Sequence, residues 1–185
     1  MQDEVAVLVP VKAFSQAKAR LADVLDGPAR AALARSMADV VLAAAGSLPV
    51  LVACDDEEVA TWAEAAGAAV VWTPGLGLNG AVTAGVEALA GAGVGRVVVA
   101  HADLPRARDF TELAEGRGVT AVPDRRDDGT NVLALPTGAG FVFAYGPGSF
   151  LRHCDEAARL GLHLTVLRPP ELTWDVDVPD DLEHP

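Results

Sequence analysis

Three aspartates and three cations hold the chemical interest of this chain. Asp103 lies three residues beyond the apolar run Val97–Ala100, within RVVVAHADLP. Asp175 and Asp177 form an Asp-x-Asp pair in LTWDVDVPDDL. On an extended backbone, residues two apart send their carboxylates to the same side. Like charges that close repel each other unless a cation lies between them. An exposed acidic edge would show the same spacing, but Trp174, Val176 and Val178 mark a partly buried segment, where unpaired acids are costly. Lys12, Lys18 and Arg20 lie together in KAFSQAKARL, and the chain has only two lysines, both here. The two lysines read as exposed ammonium point charges suited to phosphates, with Arg20 beside them; a surface loop carrying three cations is the plainer alternative. Carboxylate oxygens suit Mg²⁺. Cations for a polyphosphate plus three carboxylates for metal are the groups that nucleotidyl transfer needs.

The elements that must position these groups follow a β-α-β-α-β rhythm. Val5–Val11 reads as a strand, Pro28–Ala45 as a helix, Val50–Ala53 as a strand and Asp55–Ala66 as a helix ended by Gly67. Ala69–Trp72 is a third strand, and Thr73–Gly80 is a glycine-rich loop entering the helix Ala81–Leu89. That loop has neither GxGxxG spacing nor a following GK[ST], so it is no dinucleotide fingerprint or P-loop. The alternation implies a doubly wound sheet with right-handed crossovers. Val97–Ala100 reads as a central strand buried on both faces. Ligands of open α/β sheets collect beyond the carboxyl ends of the strands, which is where Asp103 falls. Asp103 also fits the N-cap of a helix beginning near Arg106.

Further on come a helix over Ala107–Glu115, a strand over Val119–Pro123 and a turn at Asp128-Gly129. A strand over Val132–Leu135, a helix over Phe150–Leu160 and a strand over Leu164–Leu167 complete the set. Ser149 reads as the N-cap of the second helix, and Gly146–Ser149 suits an anion nest. Thr130, just beyond the Asp128-Gly129 turn, offers a hydroxyl and a backbone N–H to an anion. Asp39 reads as a helix-surface charge and His101 as a structural residue.

At 185 residues and 51% hydrophobic, one domain over residues 1–185 is the simplest organisation. A net charge of −12 argues against nucleic acid as a partner and would repel anionic substrates without local cations or metal. Cys54 and Cys154 make no disulfide framework, so a reduced, cytoplasmic setting is expected. The charged start leads straight into a short strand, unlike a secretory leader. No apolar run reaches the roughly 18 residues of a membrane span.

Six stretches carry a family resemblance: VPVKAFSQAKARL, GLNG at Gly77–Gly80, HADLP, PDRRDDGTNVL, FVFAYGPGSFLRH and WDVDVPDDL. In their order the chain resembles the 2-phospho-L-lactate guanylyltransferase family over nearly its whole length. Actinobacterial members of that family are phosphoenolpyruvate guanylyltransferases of coenzyme F-420 synthesis. The resemblance implies a three-layer α/β/α domain like the nucleotide-diphosphosugar transferases, built on a mostly parallel mixed sheet. It implies transfer of GMP from GTP to a phosphorylated three-carbon acid, with release of diphosphate and formation of enolpyruvyl-2-diphospho-5'-guanosine from phosphoenolpyruvate. It assigns Asp103, Asp175 and Asp177 to metal, with two Mg²⁺ ions expected. It assigns Thr130, Gly146 and Ser149 to the acceptor acid. Lys12, Lys18 and Arg20 fall near the GTP phosphates, and Asn79 and Gly80 near the guanosine. A homodimer is one assembly it allows. The alanine-, valine- and arginine-rich composition fits a GC-rich genome and so favours phosphoenolpyruvate over phospholactate. Two alternatives stand beside this reading. One is a transferase with a molybdopterin-type acceptor, although the LxxGxGxR loop of such enzymes is replaced here by KAFSQAKARL. The other is a nucleotide-binding domain without turnover.

Overall fold

The computed structural model describes residues 4–182. Residues 1–3, part of the charged start, and residues 183–185 lie outside the described residues. Seven strands form one sheet: β1 Val5–Pro10, β2 Val50–Cys54, β3 Ala69–Trp72, β4 Arg96–Ala100, β5 Val119–Pro123, β6 Thr130–Pro136 and β7 Leu164–Val166. Their order is β3-β2-β1-β4-β6-β5-β7. β6 runs antiparallel to β4 and β5, and every other pairing is parallel. The helices are α1 Gly27–Ala44, α2 Glu57–Ala65, α3 Gly77–Gly91, α4 Thr111–Glu115, α5 Ser149–Arg159 and α6 Pro170–Thr173.

The central strands are apolar throughout because both of their faces are covered. Val7, Val9, Val98, Ala100, Val132 and Ala134 share a core with Val41 of α1, Trp62 of α2 and Leu113 of α4. The alternate residues Leu8, Val97, Val99, Leu133 and Leu135 pack with Val82 and Val86 of α3 and Phe150 of α5. This makes the three-layer α/β/α arrangement. From β1 the chain crosses to β2 on one side, while β4 lies on the other. That reversal opens a crevice beyond the carboxyl ends of β1 and β4. The cationic loop leaves β1 there, and Asp103 leaves β4 there.

Several local expectations need correction. The expected helix over Ala107–Glu115 shrinks to Thr111–Glu115. Its start is set by Asp109, whose Oδ1 accepts the Thr111 amide at 2.8 Å and the Thr111 hydroxyl at 2.6 Å. Asp103 is therefore no helix cap. Helix α3 begins at Gly77 rather than Ala81, so Asn79 and Gly80 stand in its first turn. Ser149 is the first residue inside α5; the N-cap is Gly148, with φ 70°, a left-handed backbone that glycine adopts without strain. Asp39 is not a free surface charge, because its carboxylate accepts the Trp62 indole N–H at 2.8 Å and joins α1 to α2. Among the described residues no helix is long and apolar enough to cross a membrane.

Candidate active site

Lys18 is the centre of the site, and its side chain is largely buried rather than exposed. It sits between two short 3₁₀ turns, Phe14–Gln16 and Ala19–Leu21, with a left-handed backbone at φ 54°. A non-glycine residue there costs on the order of 1–3 kcal/mol and is kept only where surrounding contacts require it. Here the contacts are ionic. Lys18 Nζ donates to Asp103 Oδ2 at 2.6 Å and to Asp177 Oδ1 at 3.2 Å. Its side chain is only 9% exposed. Arg20 adds a longer contact to Asp177, at 3.7 Å. The loop after β1 thus joins carboxylates from the centre and the end of the chain.

These contacts set the protonation of the site. Burial works against the Lys18 charge, but Asp103 and Asp177 outweigh it and hold the ammonium above its ordinary pKa. Burial likewise pushes the Asp103 carboxyl up, and the Lys18 ammonium more than reverses this, leaving it below the usual range. Asp175 has no such partner. Burial, with the Asp103 and Asp177 charges behind it, pushes its carboxyl up to about 6. One buried oxygen on Asp103 and one on Asp175, Oδ1 in each case, has no hydrogen-bond partner.

The carboxylate set fits a divalent cation in kind. It offers hard oxygen donors, two orphan oxygens, and a gap already bridged by a positive charge. Among the described residues no three acidic, histidine or cysteine side chains converge as a closed metal cluster. Lys18 Nζ is the positive charge between Asp103 and Asp177. A groove of about 500 Å³ runs alongside, lined by Lys12, Lys18, Arg20, His101, Asp103 and Asp177. The acidic chain therefore presents its loop cations at the mouth of the crevice.

Thr130, Gly146 and Ser149 gather at the start of β6 and of α5. Thr130 and Ser149 are buried, with their hydroxyl oxygens 3.4 Å apart. The expected anion nest is largely spent on the loop itself. The Ser149 amide donates to the Gly146 carbonyl at 3.0 Å, and the Gly148 amide donates to Asp128 Oδ1 at 3.0 Å. Arg152 clasps the same loop through the carbonyls of Ala144 and Pro147. Asn79 is committed to another tether. Its Oδ1 accepts the Tyr145 amide at 2.7 Å, and its Nδ2 donates to the Tyr145 carbonyl at 3.4 Å. Gly80 packs so closely that an added Cβ would come within 2.8 Å of the Leu76 Cβ.

Residues 5–184 match the family model described as guanylyl transferase CofC like. The chain belongs to the CofC-like guanylyl transferase family. Within that family it is 37% identical to the phosphoenolpyruvate guanylyltransferase of Sphaerobacter thermophilus, covering 96% of this chain and 90% of the relative. It is 38% identical to the phosphoenolpyruvate guanylyltransferase of Rubrobacter xylanophilus, covering 96% and 91%. A crystal structure from Desulfovibrio desulfuricans G20, assigned as a nucleotide-diphospho-sugar transferase, shares the fold with a TM-score of 0.76 at 18% identity, covering 97% of this chain and 85% of that one. This CofC-like chain is accordingly a guanylyltransferase on the nucleotide-diphosphosugar-transferase fold.

One supporting group escaped the sequence reading of the CofC-like site. Asp181 is fully buried. Its Oδ2 accepts the amides of Asp177 at 2.6 Å and Val178 at 2.9 Å, fixing the turn that presents Asp177. Its Oδ1 pairs with Arg125 and Arg126. Arg125 also stacks on Trp174, with its guanidinium carbon 4.2 Å from the ring centre. Burial pushes the Asp181 carboxyl up, but Arg125 and the two amides bring it down to about 2. The signal was the four-residue spacing from Asp177, hidden in a run of acids. Asp181→Ala is expected to cost about 3 kcal/mol, the scale of breaking a buried ion pair, and calorimetric melting checks it. The group's folded pKa lies below its unfolded value. Its contribution is therefore complete above about pH 4 and fades as the pH falls towards 2, so the two melts should converge in acid.

Proposed function

We propose that this chain transfers GMP from GTP to phosphoenolpyruvate in a Mg²⁺-dependent reaction that releases diphosphate. The observation that carries the proposal is the Lys18 ammonium held between Asp103 and Asp177, in a site where Asp103 and Asp175 each keep one buried oxygen without a partner. Two acids sharing one cation at the sheet's switch point suit a polyphosphate site. The acceptor is drawn from the names of the relatives at 37% and 38% identity.

In this reading a phosphate oxygen of phosphoenolpyruvate attacks the α-phosphorus of GTP. The bond from that phosphorus to the β-bridging oxygen breaks, and diphosphate leaves with its electron pair. Asp103, Asp175 and Asp177 would hold the metal. When bound, Mg²⁺ supplies charge neutralisation between two anions and on the departing diphosphate. Lys12, Lys18 and Arg20 draw the triphosphate into the groove against the net negative field. Thr130, Ser149 and the Gly146 loop orient the acceptor. No covalent enzyme intermediate is needed.

The test is diphosphate release with GTP and Mg²⁺ against phosphoenolpyruvate, 2-phospho-L-lactate and 3-phosphoglycerate. Turnover with phosphoenolpyruvate is the expected result, and turnover only with another acid would overturn the acceptor assignment. The acceptor residues give a sharper check. Ser149 does not cap α5 with its side chain, so Ser149→Ala should spare the helix. It should raise the acceptor KM about tenfold, the scale of one hydrogen bond to an anion, with GTP binding unchanged. Thr130→Val should do likewise, and the double variant should be non-additive if both hydroxyls reach one anion.

A further inference from the structure

The acceptor site contains a buried histidine that the proposed chemistry does not use. His153 lies on α5 one turn beyond Ser149 and is fully buried. Its ring packs edge-on against Tyr145 at 4.7 Å and lies 5.8 Å from Phe141. Both ring nitrogens are engaged. Nε2 lies 3.0 Å from the amide nitrogen of Ala144, and Nδ1 lies 2.9 Å from Thr130 Oγ1.

The first of these contacts decides the second. A backbone amide can only donate, so Nε2 must be the bare nitrogen that accepts. In a neutral imidazole the proton then sits on Nδ1. The ring is kept neutral by its burial, with Arg152 adding to the effect, and its pKa falls to about 4. Nδ1–H therefore donates to Thr130 Oγ1. The Ser149 hydroxyl oxygen lies 3.4 Å from the same oxygen, a longer contact that leaves its own proton for an anion. A threonine hydroxyl has two lone pairs and one proton. With one lone pair taken by Nδ1–H, the proton turns away from the His153 ring and is left to donate elsewhere.

We propose that His153 is a positioning residue that sets the direction of the Thr130 hydroxyl proton, turning Thr130 into a donor to an anionic oxygen of the acceptor acid. This rests on the placement of the acceptor at Thr130 and Ser149. A neutral histidine with the other tautomer would instead accept the threonine proton, and the hydroxyl would present only lone pairs to an incoming anion. The Ala144 amide prevents that. It belongs to the same loop that Arg152 clasps, so loop order and hydroxyl direction are linked through one ring.

Two substitutions separate the nitrogens. In His153→Gln the side-chain oxygen can reach the Nε2 position and keep the Ala144 bond, but nothing donates at the Nδ1 position. In His153→Asn the amide falls near the Nδ1 position and can donate to Thr130, while the Ala144 bond is lost. His153→Gln should raise the acceptor KM about tenfold, the scale of one hydrogen bond to a charged group, with the GTP KM unchanged. His153→Asn should recover most of the acceptor affinity at a lower melting temperature. Side-chain ¹⁵N spectra of the labelled wild-type protein should show His153 protonated at Nδ1 near neutral pH. An Nε2–H tautomer overturns the proposal even if neither variant folds. An acceptor KM that moves in Thr130→Val but not in His153→Gln overturns the role of His153 alone. An acceptor KM that does not move in Thr130→Val overturns the acceptor placement, and the direction assigned to the hydroxyl falls with it.

Discussion

Asp103→Asn is expected to lower guanylyl transfer by at least about a hundredfold while leaving the fold in place. The substitution keeps the size of the side chain and an oxygen for Lys18, so the loop after β1 retains its contact through both Asp177 and the new amide. It removes the one carboxylate that is both tied to Lys18 and left with a buried, unpartnered oxygen. A loss of this size is what removal of a main electrostatic element of an active site produces. Asp177→Asn should behave similarly, and excess chelator should abolish turnover of the wild-type enzyme. The measurements are steady-state diphosphate release and a melting curve on the same preparation. Full activity in excess chelator would end the Mg²⁺ requirement. A drop in melting temperature that accounts for the lost activity would reassign Asp103 to structure.

The parts of this molecule that could be read in the sequence are those whose cause is local or periodic. Val97–Ala100 stands in the core on both faces, and an uninterrupted apolar run is what such a position demands. Ala69–Trp72 and Val119–Pro123 fall where their composition places them. The failures have distant causes, apart from the local one at Asp109. The left-handed turn at Lys18 is held by carboxylates 85 and 159 residues away, so nothing around Lys18 could announce that the lysine is buried. The helix expected from Ala107 was displaced by Asp109, whose carboxylate ties down Thr111 two residues later. At α5 the choice between Gly148 and Ser149 as the cap turned on the Asp128 carboxylate, which takes the Gly148 amide from another loop. His153 was present in a stretch already singled out for Ser149. Helical spacing alone puts residues four apart on one face, yet its use depends on the Ala144 amide, which only the folded chain supplies.

The burial of Lys18 changes what its removal should do. An exposed phosphate-binding lysine would be silent in a melting experiment and visible only in GTP kinetics. The observed Lys18 separates two carboxylates, one of them poorly solvated. Lys18→Met keeps most of the aliphatic stem and the backbone but deletes the charge. In metal-free buffer Asp103 and Asp177 then face each other with only the exposed Arg20, 3.7 Å from Asp177, as a counter-ion, and the fold should lose about 2 kcal/mol. That is below the 3–5 kcal/mol of a fully buried broken pair because Asp177 is partly solvated. Millimolar Mg²⁺ should return much of this loss. A cation bound only by the folded state stabilises in proportion to its occupancy, and in the variant it no longer competes with an ammonium for the same oxygens. The melting gain on adding Mg²⁺ should therefore be larger for Lys18→Met than for the wild type, while the GTP KM rises about tenfold through the lost cation. Differential scanning calorimetry with and without Mg²⁺, beside GTP kinetics at saturating acceptor, makes the comparison. Equal melting of variant and wild type in metal-free buffer would show that Lys18 does not hold the carboxylates together. A Mg²⁺ gain no larger than that of the wild type would show that the metal binds outside the space Lys18 bridges.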